Sequence, residues 1–279
     1  MFEIRTMERH EIDIAVAWAK AEGWNPGLND AACFYEADHD GFLVGLLDGE
    51  PVATISAVKY GASFGFIGFY IVKPEHRGKG YGLQIWNAAM RNLEGRVIGL
   101  DGVIDQQENY RKSGFSLAYN NLRYEGIGDG ISKTDAAIVP LSTLAFEEIN
   151  NYDAPFFPAE RTRFLQSWIN QPNSAALGIL RDGKLSGYGV IRACDNGFKI
   201  GPLIADSKEE AECLFLALKA HVPSGVPFFL DTPAVNPAAL KLAEQHQMTV
   251  SFETVRMYLG QPPEFPARCL FGVTSFELG

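Results

Sequence analysis

Three glycines on alternate positions, Gly78, Gly80 and Gly82, separate two stretches of different periodicity, and this junction constrains the fold more than any other part of the chain. The apolar run Phe64 to Val72 leads into it and reads as a buried strand. Leu83, Trp86, Met90 and Leu93 leave it at helical spacing. Glycines let a backbone approach a ligand closely, and successive amides at a helix N-terminus cradle anionic oxygens. Lys73, His76, Arg77 and Lys79 add positive potential to a chain that is acidic elsewhere. The stretch therefore reads as a phosphate- or pyrophosphate-binding turn. No G-x-x-x-x-G-K-[ST] is present, and the glycine spacing is not G-x-G-x-x-G, which sets aside a Walker A loop and a dinucleotide fingerprint.

With 279 residues the chain suits one large or two ordinary domains. Its 47% apolar and 21% charged residues are those of a soluble globular protein. A net charge of −10 argues against a general nucleic-acid or anionic-membrane surface, because both demand a positive face. Cys33, Cys194, Cys213 and Cys269 are scattered without ligand spacing and read as reduced thiols in a cytoplasmic protein. His10, His76 and His246 show no ligand spacing either, so no metal is expected. The start is not a signal peptide, and no apolar run is long enough to span a bilayer.

Taken in order, Phe2 to Arg5 alternates as a strand, and Glu11 to Glu22 has one apolar helical face. Gly23 to Gly27 breaks that helix, and Asn29 or Asp30 caps a second. Phe42 to Leu47 and Val52 to Val58 read as a hairpin, followed by the Phe64 strand, the glycine loop and its helix. Val97 to Leu100, Asp105 to Ser113 and Phe115 to Tyr124 supply a strand, a short helix and a last strand. The expected fold class is α/β, more closely an α+β mixed sheet with helices on its faces. Gly126 to Gly130 reads as a flexible linker, and the plan then repeats between Ala137 and Tyr258.

Arg77, Gly80 and Gly82 form Arg-x-x-Gly-x-Gly after Tyr70, Val72 and Pro74. Tyr110 to Phe115 forms Tyr-x-x-x-Gly-Phe at the end of the short helix. Together these resemble the GNAT superfamily of N-acetyltransferases, over about residues 1 to 126. The resemblance implies that Arg77, Gly78, Lys79, Gly80, Tyr81 and Gly82 hold the pyrophosphate of acetyl-CoA. It further implies that backbone groups of Ile71 and Val72 hold the pantetheine, and that Tyr110 protonates the departing thiolate. The family's usual Asn is replaced by Val103, and the position of its frequent catalytic Glu falls near Phe66. Asp101, at the end of its strand, is then the nearest candidate base. Trp24, Asn25, Tyr35 and Tyr119 are candidates to line the acceptor pocket.

In the repeat, Ala243 stands where Tyr is expected, and Ile204 to Lys208 replaces the glycine loop. Ser207 there reads as a helix cap. The whole chain thus resembles tandem GNAT proteins: an active domain over 1–126, a linker over 127–134 and a degenerate domain over 135–279. Some bacterial members end much like Phe271 to Gly279 here. The expected activity is N-acylation by direct attack, with no covalent enzyme intermediate required. The expected donor is acetyl-CoA, and the acceptor is a small-molecule or protein amine, with the oligomeric state open. A non-catalytic acyl-CoA-binding or regulatory module is the alternative reading.

Overall fold

A computed structural model describes residues 1–131 and 135–279. The first half runs β1 (Phe2–Thr6), α1 (Ile12–Ala21), α2 (Asp30–Ala37), β2 (Phe42–Leu47), β3 (Glu50–Tyr60), β4 (Phe64–Val72), α3 (Tyr81–Asn92), β5 (Val97–Val103), α4 (Gln107–Lys112) and β6 (Ser116–Ile127). The second runs β7 (Ile138–Pro140), α5 (Phe146–Asp153), α6 (Thr162–Ile169), β8 (Ser174–Arg181), β9 (Lys184–Ala193), β10 (Phe198–Ala205), α7 (Lys208–Lys219), β11 (Pro227–Pro233), α8 (Pro237–Gln245), β12 (Thr249–Leu259) and β13 (Leu270–Gly272). The expected order therefore forms in both halves, with β13 added after it.

Among the described residues the thirteen strands belong to one mixed sheet, in the order β1-β2-β3-β4-β5-β12-β6-β11-β10-β9-β8-β7, with β13 beside β10. β12, the strand before β13, is thus inserted between β5 and β6, the last two strands of the first half. β12 runs antiparallel to both β5 and β6, and β6 in turn runs antiparallel to β11. Nor is 127–131 a loose connection: Ile127 ends β6, Gly128 N donates to Val226 O, and Lys219 pairs with Asp129 at 2.7 Å. The remaining linker residues, 132–134, lie outside the described ones.

Each half lays an amphipathic helix on the sheet after its parallel strand. Ile85, Trp86 and Ala89 of α3 cover Ile55, Ile67 and Ile98, while Leu214, Phe215 and Leu218 of α7 cover Ile200 and Leu230. Ser207 caps α7, accepting from Glu210 N at 3.3 Å. The opposite face is shared between halves: Phe34 of α2 stacks on Trp168 of α6 with centroids 5.9 Å apart. Among the described residues no helix is long and apolar enough to cross a membrane.

The inserted strand is pinned by a buried ion pair. Arg256 of β12 lies directly opposite Asp101 of β5, and its Nε and Nη2 donate to the two carboxylate oxygens at 2.8 and 2.7 Å. The two side chains are 8% and 0% exposed. Breaking such a pair strands a charge, so Arg256→Ala is expected to cost about 3–5 kcal/mol in urea unfolding. A paired Asp101→Leu, Arg256→Met replacement should recover most of that loss. A single-mutant loss below about 1 kcal/mol, the range of an exposed pair, would contradict this role.

Candidate active site

The site begins where two strands part. β4 pairs in parallel with β5 from Phe64–Val97 to Ile67–Leu100, and no pairs follow. At that point Phe69 adopts φ +48°, and the register between β3 and β4 slips, with Ser56 opposite Gly68 but Thr54 opposite Ile71. The Thr54 hydroxyl donates to Phe69 O at 2.9 Å, which satisfies a carbonyl that the bulge takes out of the ladder. A cleft of about 600 Å³ opens in the gap. Ile67 to Val72 line one side, and Leu100, Asp101, Val103 and Tyr110 line the other.

The glycine loop closes one end of this cleft. Gly78 and Gly80 sit at φ +73° and +84°, in the left-handed region that disfavours side chains, and Gly80 is the N-cap of α3. At Gly82 a Cβ would lie 2.8 Å from the Tyr70 hydroxyl oxygen, so its absence lets the helix start close against β4. The first amides of α3 have no carbonyl one turn earlier, and the positive end of the helix dipole adds to them. Arg77 donates from Nε to Val72 O at 2.8 Å and pairs with Glu22, fixing the loop to the strand and to the end of α1.

Ile71, Val72, Arg77, Gly78, Gly80 and Gly82 all line the cleft. Lys79 and Tyr81 do not. Lys79 is exposed, and the Tyr81 ring packs on Phe2 with centroids 4.7 Å apart.

Tyr110 reaches the cleft from α4. Its ring lies over Gly102, where a Cβ would be 2.3 Å from Cε2, and its centroid is 5.7 Å from that of Trp86. Burial pushes the phenol well above its ordinary value, so it is a proton donor at neutral pH. Asp101 also borders the cleft, but its carboxylate is the one held by Arg256, and Asn121 Nδ2 donates to it as well, at 2.8 Å. A fully buried carboxylate bound on both oxygens is not free to take a proton from a substrate, which corrects the expectation of a base there.

Of the four acceptor candidates, only Trp24 lines the cleft. Asn25 turns outward and exchanges hydrogen bonds with Asn196 at 2.9 and 3.0 Å. Tyr35 stacks on His39 at 4.2 Å, and Tyr119 faces a separate small cavity beside Phe265. In their place the second half supplies Phe252, Thr254, Phe276 and Glu277. The insertion of β12 brings the first two, and neither was legible as a site residue without the strand order. For Phe276 and Glu277 a signal existed: past the last expected strand, residues 271–279 set Phe271, Val273, Phe276 and Leu278 around a single acidic residue.

The second half has the same strand junction in a different state. β10 and β11 pair in parallel from Phe198–Phe228 to Ile200–Leu230 and then part. There β13 fills the gap, pairing with β10 at Leu203 and Ile204, while Val273 N donates to Asp231 O at 2.8 Å. Gly201 makes room for it, since a Cβ would lie 2.6 Å from Val273 O. Ala243 is buried in the core, and Ser207 rather than a glycine caps the helix that follows β10.

The profile of the Acetyltransferase (GNAT) family matches residues 7–115, and that of the Acetyltransferase (GNAT) domain matches 149–272. The chain is 32% identical over 270 residues to holothin acyltransferase of Pseudoalteromonas sp. (strain SANK 73390), covering 96% of this chain and 92% of that one. A crystal structure from Pyrococcus horikoshii, of a protein provisionally named an acetyltransferase, superposes with a TM-score of 0.84 at 22% identity, covering 100% of this chain and 96% of that one. A tandem GNAT protein from the clavulanic acid biosynthesis pathway superposes at 0.63 with 12% identity, covering 95% and 100% of the two chains. Both structures share the fold. The chain belongs to the GNAT family, as an N-acyltransferase with two GNAT domains in tandem.

Proposed function

We propose that this N-acyltransferase takes acetyl-CoA as donor and acylates the primary amine of a small molecule, using the first domain's cleft. The observation that carries this reading is the gap between β4 and β5, with the glycine loop at one end and the Tyr110 phenol on one wall. The loop amides hold the pyrophosphate, and the exposed polar edge of β4 near Ile71 holds the pantetheine amides. The amine attacks the thioester carbonyl directly, a β4 amide steadies the oxyanion, and Tyr110 protonates the thiolate.

A small acceptor is favoured over a protein one because both domains wall the cleft, with Trp24, Phe252 and Phe276 making an aromatic enclosure. The relative named for acting on holothin makes that compound the first acceptor to try. The second domain is the non-catalytic partner, its own gap being filled by β13. The proposed compartment is the cytoplasm, in keeping with the four free cysteines.

Calorimetry with acetyl-CoA is expected to show binding to wild type and at least about tenfold weaker binding to Gly80→Glu, a loss of 1.4 kcal/mol or more. Equal binding by a folded Gly80→Glu protein would place the coenzyme elsewhere. Turnover is to be screened with holothin, aniline, benzylamine, spermidine and a lysine-containing peptide. On the best of these acceptors Tyr110→Phe should lower kcat by about 10²-fold, the scale of a lost general acid, with the KM for acetyl-CoA little changed. An unchanged kcat would remove Tyr110 from the reaction.

A further inference from the structure

Six charged side chains are buried behind the acceptor wall, and they come from both domains: Asp30, Arg123, Arg192, Lys199, Asp231 and Glu277. Arg123 holds Asp231 with two bonds of 2.7 and 2.8 Å, and Arg192 holds Asp30 with bonds of 2.8 and 3.2 Å. Lys199 donates to the main-chain oxygens of Asn25 at 2.8 Å and Trp24 at 3.4 Å. Glu277 is left over. It is 4% exposed, lines the cleft, and has no ion pair or side-chain hydrogen bond among the described residues. A buried carboxylate without a partner is costly, and such costs persist where a group has a task.

Its position is set by the tail. Anchored by β13 in the second domain, the chain runs on until Glu277 O meets β4 at Gly68, where a Cβ would lie 2.1 Å from that oxygen. Gly68 is the residue at which β4 leaves β5, the point where the thioester would lie in the reading above. The other acidic residues of the cleft are committed, Glu22 to Arg77 and Asp101 to Arg256.

We propose that Glu277 is the general base of acyl transfer, its carboxylate taking the proton of the acceptor nitrogen as that nitrogen attacks the thioester carbonyl. This rests on the acyl-transfer reading given above. The N–C bond forms and a nitrogen proton passes to Glu277. The C–S bond then breaks as the Tyr110 hydroxyl gives its proton to the sulfur. The proton on Glu277 returns through cleft water to the Tyr110 phenolate, so amine and thioester become amide and thiol with both side chains restored. Burial raises the Glu277 carboxyl above its ordinary range; Lys199, Arg123 and Arg192 oppose this and Asp30 reinforces it. The base works only when ionised, so activity falls as pH drops through that raised value.

The test is a pH–rate profile of wild type and Glu277→Gln with acetyl-CoA and the best acceptor of the panel. Glu277→Gln is expected to bind acetyl-CoA as wild type does, to lose about 10²-fold in kcat, and to lose the acidic limb of its kcat profile. Ionisation of the free acceptor appears in both kcat/KM profiles, so the limb that vanishes belongs to the enzyme. A folded Glu277→Gln protein with wild-type kcat and an unchanged limb overturns the proposal while leaving the acyl-transfer reading intact. Should the Gln variant fail to fold, Glu277→Asp replaces it, with kcat expected to fall at least about tenfold and the limb retained at a shifted pH. An unaltered kcat there also overturns the proposal. Wild type that neither binds acetyl-CoA nor turns over any acceptor overturns the acyl-transfer reading and the base assignment together.

Discussion

The structure depends on the insertion of β12 between β5 and β6, held by the buried pair of Arg256 and Asp101. Without that strand the first domain would end in two unconnected edges, and the far wall of its cleft would lack Phe252 and Thr254. Backbone pairing of β12 with β5 and β6, and of β6 with β11, joins the two domains in one sheet, and the ion pair sits across that seam. A charge buried on β12 is held bidentately by a carboxylate on β5, and separating the strands would leave both charges unpaired.

Two versions of one strand junction then take different roles. In the first domain the gap beyond Ile67 is open and a glycine loop faces it. In the second, the gap beyond Ile200 is closed by β13 and the loop is replaced by the cap of Ser207. The closing strand is also what delivers the end of the chain to the open gap. The second domain therefore contributes to the site by position: it has given up a slot of its own and uses it to anchor the tail that carries Phe276 and Glu277.

Much of this was legible in the sequence for local reasons. The alternation of glycines between a strand and a helix, the spacing of Leu83, Trp86 and Met90, and the capping chemistry of Ser207 are short-range signals, and each element formed where they pointed. The loss of the glycine loop and of the tyrosine in the repeat was visible for the same reason. What could not be read was non-local. Nothing near Asp101 shows that Arg256 lies opposite it, so a carboxylate committed to an ion pair looked like a free base. Asn25 and Tyr35 have the chemistry of pocket residues, but a positive φ at Asn25 turns it toward Asn196, and Tyr35 lies against His39. β13 escaped because three residues of strand carry too short a period to register.

The central claim is that the first domain's open strand junction is the acyl-transfer site and that the second domain's is closed. A crystal structure of the acetyl-CoA complex tests it most directly. The account predicts the pyrophosphate on the amides of the loop at Gly78 to Gly82, the thioester between β4 and β5 near Gly68, and its sulfur within hydrogen-bonding reach of the Tyr110 hydroxyl. β13 should be undisturbed between β10 and β11. Coenzyme bound in the second domain's gap with β13 displaced, or seated away from the glycine loop, would contradict it.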